Sequence, residues 1–216
     1  MVPATEESVN KLIAVFSDPM VGRASGRQLP HRDACLLASH ARHFNYPNVS
    51  SIRDKECIST LGLKAAFCSN SFAAYRISAL HDCGGFPLNV ILGEDMYVAA
   101  KMLLRGYKTA YVANATVYHS HNYSPIEEFK RYFDTGVYHA REAELLSRFG
   151  NVSGEGVRFI LSELSWVGWK IVYMFPAILL RSAMKLMGYK LGKLERYIPI
   201  VIKRKLSMHR GYWAGN

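Results

Sequence analysis

Three short segments of this 216-residue chain carry side chains able to do chemistry together: Cys83-Gly84-Gly85-Phe86-Pro87, Gly93-Glu94-Asp95 and Tyr118-His119-Ser120-His121. A carboxylate such as Asp95, with Glu94 beside it, can take a proton from an attacking hydroxyl once that hydroxyl is held close and water is excluded. A neutral imidazole can bind a divalent cation, and a cation can stabilise a departing diphosphate. His119 and His121, at i and i+2, fall on one face of an extended segment, so both can serve one site. Gly84 and Gly85 let the backbone approach a ligand closely. Arg27, Gln28, Ser69 and Asn70 offer polar groups to a diphosphate or a sugar, and His139 and Arg141 lie further along in a helical stretch. Each feature also has a plainer reading: an acidic pair caps a helix, a glycine pair makes a turn, a histidine is structural.

The elements that must hold these residues follow from periodicity. Val9, Leu12, Ile13 and Phe16 share one face of a helix over 6–16, which Asp18-Pro19 ends. A strand is expected over 21–28, while 34–64 shows mixed periodicity and receives no assignment. Residues 66–75 read as a strand with a polar break at Ser69-Asn70-Ser71, and 77–82 as a short helix stopping before the glycine pair. The pattern over 95–104 predicts a helix with Met96, Ala99, Ala100 and Leu103 on one face and Gly106 as its stop. A strand over 110–117 directs His119 out of a sheet edge. From residue 125 the chain reads as mainly helical, with breaks expected at Gly136, at 150–156, and at Pro176, Gly188, Gly192 and Pro199.

Half the residues are apolar and a fifth are charged, so a folded chain rather than a disordered one is expected. The net charge of +10 is unevenly placed: residues 1–165 hold 17 Lys/Arg against 16 Asp/Glu, and residues 166–216 hold 10 against Glu195 alone. The run 164–180 has one charge, Lys170, and is at the short limit for a membrane span. Trp166, Trp169 and Tyr173 suit a headgroup interface, and Arg181, Lys185, Lys190, Lys193 and Arg196 follow. An interfacial helix on an anionic membrane surface is expected ahead of a span, with a buried helix and a solvated basic face as the alternative. Nucleic acid is not expected as a partner, because the basic residues interleave with aliphatic ones. Cysteines 35, 57, 68 and 83 lack CxxC spacing and read as reduced thiols of the cytosol, with no signal peptide expected. Asn48, Asn114, Asn122 and Asn151 each begin an N-x-S/T triplet, taken as chance.

The order of motifs resembles the family-two glycosyltransferases of GT-A fold, and among them bacterial rhamnosyltransferases. The carrying residues are Gly26-Arg27-Gln28-Leu29-Pro30, Phe44-Asn45-Tyr46-Pro47, Phe67-Cys68-Ser69-Asn70-Ser71, Gly84-Gly85-Phe86-Pro87, Gly93-Glu94-Asp95-Met96, Val117-Tyr118-His119-Ser120-His121-Asn122-Tyr123 and Phe129-Lys130-Arg131-Tyr132-Phe133. Leu206-Ser207-Met208-His209 is similar as well. The resemblance implies an α/β fold: residues 1–150 as the C-terminal, acceptor-side half of a GT-A (Rossmann-like) domain, and 151–216 as a helical, basic, membrane-associated extension. It implies Asp95 as the catalytic base of an inverting transfer, Glu94 as its orienting partner, Gly84, Gly85 and Phe86 as a loop beside donor and acceptor, and His119, with His121 as the fallback, as ligand to a divalent Mg or Mn. The implied donor is a nucleotide-sugar such as dTDP-rhamnose, and the implied acceptor a lipid-linked, O-antigen-like saccharide at the cytoplasmic face of the bacterial plasma membrane. The family's Asp-x-Asp metal motif is not in the sequence, so the chain is expected to be the C-terminal portion of such an enzyme and silent by itself. Two other expectations stand beside it: a non-catalytic membrane-surface module, and a subunit completed by a separate N-terminal half.

Overall fold

A computed structural model describes residues 1–150 and 154–214; the Asn151 triplet lies outside them. The chain divides into two compact units. The first comprises Met1–Leu88, Glu94–Asn122 and Ser147–Glu163, and the second Asn89–Gly93, Tyr123–Leu146 and Leu164–Asn216.

The first unit is built on a five-stranded sheet of β1 (Val2–Pro3), β2 (Val21–Leu29), β3 (Ser51–Arg53), β4 (Ala73–Tyr75) and β5 (Lys108–Tyr118). The order is β1-β5-β2-β4, and β3 pairs with β5. Only β2 and β5 run parallel; β1, β3 and β4 add antiparallel. Helix α1 (Ser8–Ile13) packs Leu12 against Val21, Ala24, Ala110, Val112 and Ala115, so the small and β-branched residues of both long strands form one core face. Because side chains alternate across a strand, Arg23 and Ser25 point the other way from Ala24. The sequence leads correctly to β2 and β5, each of which extends one or two residues beyond the expected ends.

Residues left unassigned at 34–64 form α2 (Leu36–Asn45), β3 and α3 (Ile58–Leu61). Of the strand expected over 66–75 only its end forms, as β4 (Ala73–Tyr75); a 3-10 turn at Asn70–Phe72 takes the place of the part before it. The reason lies in Ser69, whose Oγ accepts the Ser71 N–H and so offers the backbone a turn in place of a ladder. Helix α4 (Ile77–Asp82) matches the expected bounds, with Ala79 fully buried and Leu80 packed against the same core cluster. Helix α5 (Glu94–Leu104) buries Val98, Ala99, Ala100, Met102 and Leu103.

The helical remainder comprises α6 (Pro125–Arg141), α7 (Ala143–Ser147), α8 (Glu155–Val167), α9 (Ile171–Lys193) and α10 (Ile200–Leu206). Ser124 and Glu127 open α6 with a reciprocal capping box. The breaks expected at Gly136, Pro176, Gly188 and Gly192 do not occur: all four lie inside α6 or α9. Three of them are contact residues. A Cβ on Gly188 would collide with the Phe129 carbonyl, one on Gly192 with the Phe133 carbonyl, and one on Gly136 with the Tyr189 carbonyl. The glycines let α6 and α9 touch backbone to backbone, and that packing outweighs their poor helix propensity.

Candidate active site

Strands β2 and β5 end level with each other, Leu29 opposite Tyr118. Just beyond, the His119 N–H donates to the Leu29 carbonyl (2.8 Å) and the His31 N–H to Ser120 Oγ (3.1 Å). His119 and its neighbours therefore follow the carboxyl ends of two parallel strands, the usual position for ligands in α/β sheets.

The carboxylate pair is held by the segment that breaks the expected strand. Asn70 donates its backbone N–H to Asp95 Oδ2 (2.9 Å) and its side-chain Nδ2 to Glu94 Oε1 (3.1 Å). Its Oδ1 accepts from the Tyr75 hydroxyl, which in turn accepts from Arg23 Nε (2.9 Å). Arg23, only 1% exposed, also donates to Ser25 Oγ (3.3 Å) and to the Ser69 carbonyl (3.0 Å). The partners fix the Asn70 amide, since a carboxylate requires the NH2 group and the tyrosine hydroxyl the oxygen. Burial pushes the Tyr75 phenol up to about 12, so it keeps its proton and can donate.

Asp95 is not the helix cap. It lies one residue inside α5, and its carboxylate turns to Asn70 and to the Met96 N–H (2.7 Å). Burial raises its pKa above the ordinary aspartate value; the Met96 N–H opposes this, the Glu94 charge adds to it, and Arg23 and the Asn70 N–H pull it back. The helix start alone would hold the carboxyl down, so the outcome here is set by desolvation. A carboxylate with a raised pKa is a stronger base when ionised.

Gln28 joins the same network: Nε2 donates to Ser69 Oγ (2.9 Å), and Arg42 Nη1 donates to Gln28 Oε1 (2.6 Å). The sheet register slips between Gly26 and Arg27, and beyond the slip Gln28 reaches Ser69 while Arg27 turns to the Tyr46 carbonyl (3.1 Å). Phe86 sets its ring edge-on to Tyr75 at 5.2 Å. Gly84 and Gly85 have a local explanation. Their N–H groups return to the His81 and Leu80 carbonyls, with φ of +84° and +73°, closing α4 in a Schellman motif that favours glycine. His139 and Arg141 are engaged within the second unit, with the Tyr189 hydroxyl (3.0 Å) and Glu195 (3.0 Å) respectively.

His119 and His121 approach through their Nε2 atoms (3.1 Å) with rings nearly perpendicular. Burial, then His121 and Arg42, push the His119 pKa down to about 4, leaving a neutral imidazole at neutral pH. A separation of 3.1 Å also suits two nitrogens each about 2.1 Å from one ion. The pair therefore fits a divalent cation as a partial site. Among the described residues no third His, Cys, Asp or Glu joins them. Cys68 lies close to the carboxylates, and burial pushes its thiol up to about 12, which removes it as a nucleophile.

Arg23, Tyr75 and Arg42 were not singled out by sequence. The signal for Arg23 was present, a cation set among small strand residues, whereas Arg42 falls in the unassigned 34–64 stretch.

No protein-family model matches the chain. It is 48% identical over 210 residues to the O-antigen chain rhamnosyltransferase RfbN of Salmonella typhimurium, covering 97% of this chain and 67% of that protein. It is 47% identical over 208 residues to the O-antigen chain rhamnosyltransferase WbaN of Salmonella anatum, covering 96% of this chain and 66% of that one. The chain spans about two thirds of the length of these relatives. With nearly half of its residues identical along almost its whole length, the chain belongs to the O-antigen chain rhamnosyltransferase family of glycosyltransferases.

Proposed function

We propose that this chain carries the base-bearing part of an inverting rhamnosyltransferase of GT-A type, which moves rhamnose from a nucleotide diphosphate donor such as dTDP-rhamnose to a lipid-linked O-antigen saccharide. The observation that carries the reading is Asp95: half-buried, raised in pKa, and aimed by the Asn70 N–H. Asp95 takes the proton of the acceptor hydroxyl as that oxygen bonds to the anomeric carbon. The bond from that carbon to the diphosphate oxygen breaks on the opposite face, and its electron pair leaves with the nucleotide diphosphate. Glu94, fixed by Asn70 Nδ2, orients the acceptor or the base. Gln28, Ser69 and Arg42 form a polar wall for donor or sugar hydroxyls. His119 and His121 would hold a Mg or Mn ion, whose chemistry is to offset charge on the leaving diphosphate.

The test joins the remaining third of a Salmonella relative to this chain and supplies dTDP-rhamnose with a lipid-linked acceptor. Transfer is expected, and Asp95→Asn lowers it by about 10²–10⁴-fold, the usual contribution of a general base. Equal turnover by the Asp95→Asn chimera would sink the assignment.

A further inference from the structure

Helix α9 has its polarity reversed. Two of its cations point inward: Arg181 and Lys185 both pair with Glu128 of α6, at 3.2 and 3.4 Å. The glycines Gly188 and Gly192 and the buried Ile178 share this inner side. The opposite side presents Val172, Phe175, Leu179, Leu180, Leu186 and Met187 to the outside, with Val172 86% exposed and Leu179 60%. At a helical period these residues fall on one arc of roughly half the circumference. A soluble protein hides such a stripe and shows its charges; this helix does the opposite.

The two ends of the stripe are also distinct. Trp169, 77% exposed, and Tyr173 flank its start, ring to ring at 6.2 Å. Lys190, Lys193 and Arg196 flank its end, and all three are exposed. Aromatic residues belong at the headgroup boundary, and cations beside it are drawn to anionic lipid.

Glu155–Lys193 is, among the described residues, long and apolar enough to cross a membrane. Its packing argues otherwise. The stretch from Arg181 to Lys193 lies along α6, which bears the exposed charges Glu127 and Arg131, and these cannot enter hydrocarbon without great cost. What is left, 155–180, carries Glu155, Arg158 and Glu163 in its first nine residues, and the apolar run that follows, 164–180, is about 26 Å of helix interrupted by Lys170, short of a ~30 Å core. From these observations we infer that α9 lies in the plane of an anionic phospholipid bilayer, its apolar arc sunk into the acyl boundary and its terminal cations on the headgroups.

The chain is mixed with phosphatidylglycerol/phosphatidylethanolamine vesicles and with phosphatidylcholine vesicles, and floated through a density gradient. It is expected to float with the anionic vesicles and to leave them in alkaline carbonate. Phe175→Ser/Leu179→Ser/Leu186→Gln, all surface changes, should weaken vesicle partition about tenfold or more. Lys190→Gln/Lys193→Gln/Arg196→Gln should remove the preference for anionic over zwitterionic vesicles while leaving partition to the latter unchanged. Far-UV circular dichroism checks that both variants fold. Equal flotation of the wild type and the apolar triple variant overturns the proposal. So do retention in carbonate, which indicates a span, and absence of vesicle binding with the apolar arc buried in a soluble dimer.

Discussion

Asp95 is aimed by a relay of three residues. Arg23 donates to Tyr75, Tyr75 to Asn70, and Asn70 to both carboxylates. Such a network is costly if half satisfied and rigid if complete. Keeping Asp95 ionised in this half-buried place carries a stability cost whose sign can be checked. Its folded pKa is above the unfolded value near 3.8, so the folded chain holds that proton more tightly. Stability from this group is fullest below pH 3.8 and is lost as pH rises through the folded pKa. The Asp95→Asn protein, which has nothing to ionise there, should therefore gain on the wild type in thermal melting temperature as pH is raised across that window. A constant difference between the two at all pH values would contradict the raised pKa. The acid limb of transferase activity should likewise have its midpoint above the ordinary aspartate value. Asp95, Glu94, Ser69, Asn70 and Gln28 were legible because polar residues break apolar patterns. Tyr75 was not, because a strand-end tyrosine carries no mark of the hydroxyl's partner.

Helices and strands followed their periodicity where one face is buried, as in β2, β5 and α5. The rule failed where a glycine serves contact rather than conformation. Gly136, Gly188 and Gly192 look like helix breakers in a one-dimensional reading, yet the close approach of α6 and α9 depends on them. Gly84 and Gly85 represent the opposite case: a Cβ on Gly85 would meet nothing within 4 Å, and the positive φ alone favours glycine. Gly192→Ala thus has a predictable sign. Alanine gains about 1 kcal/mol in helix propensity, but a methyl forced onto a backbone carbonyl costs ~3 kcal/mol, at the upper end for overpacking. A net loss of about 2 kcal/mol, or roughly 4–8 °C in melting temperature, is expected. A melting temperature equal to or above that of the wild type would show that the helices separate without penalty.

On the scale of the whole molecule, charge and apolar surface are sorted in a way that composition only hinted at. The basic excess after residue 165 was visible, but not that Arg181, Lys185 and Lys203 are spent on Glu128 and Glu195. With those cations neutralised and the apolar arc of α9 outward, the purified chain should self-associate in detergent-free buffer and become monodisperse in a mild non-ionic detergent, as light scattering would report. A monodisperse monomer without detergent would contradict it. The Arg23 relay has a consequence for how the molecule can fail. Arg23 sits opposite Tyr75 in the antiparallel β2–β4 pair, so strand register is the ruler that sets the base. A one-residue slip would swing the guanidinium to the α1 side and leave Asp95 unaligned. Misfolded copies would then retain a sheet and lose the chemistry, so the inactive fraction of a refolded preparation would be hidden from circular dichroism and visible only to active-site titration.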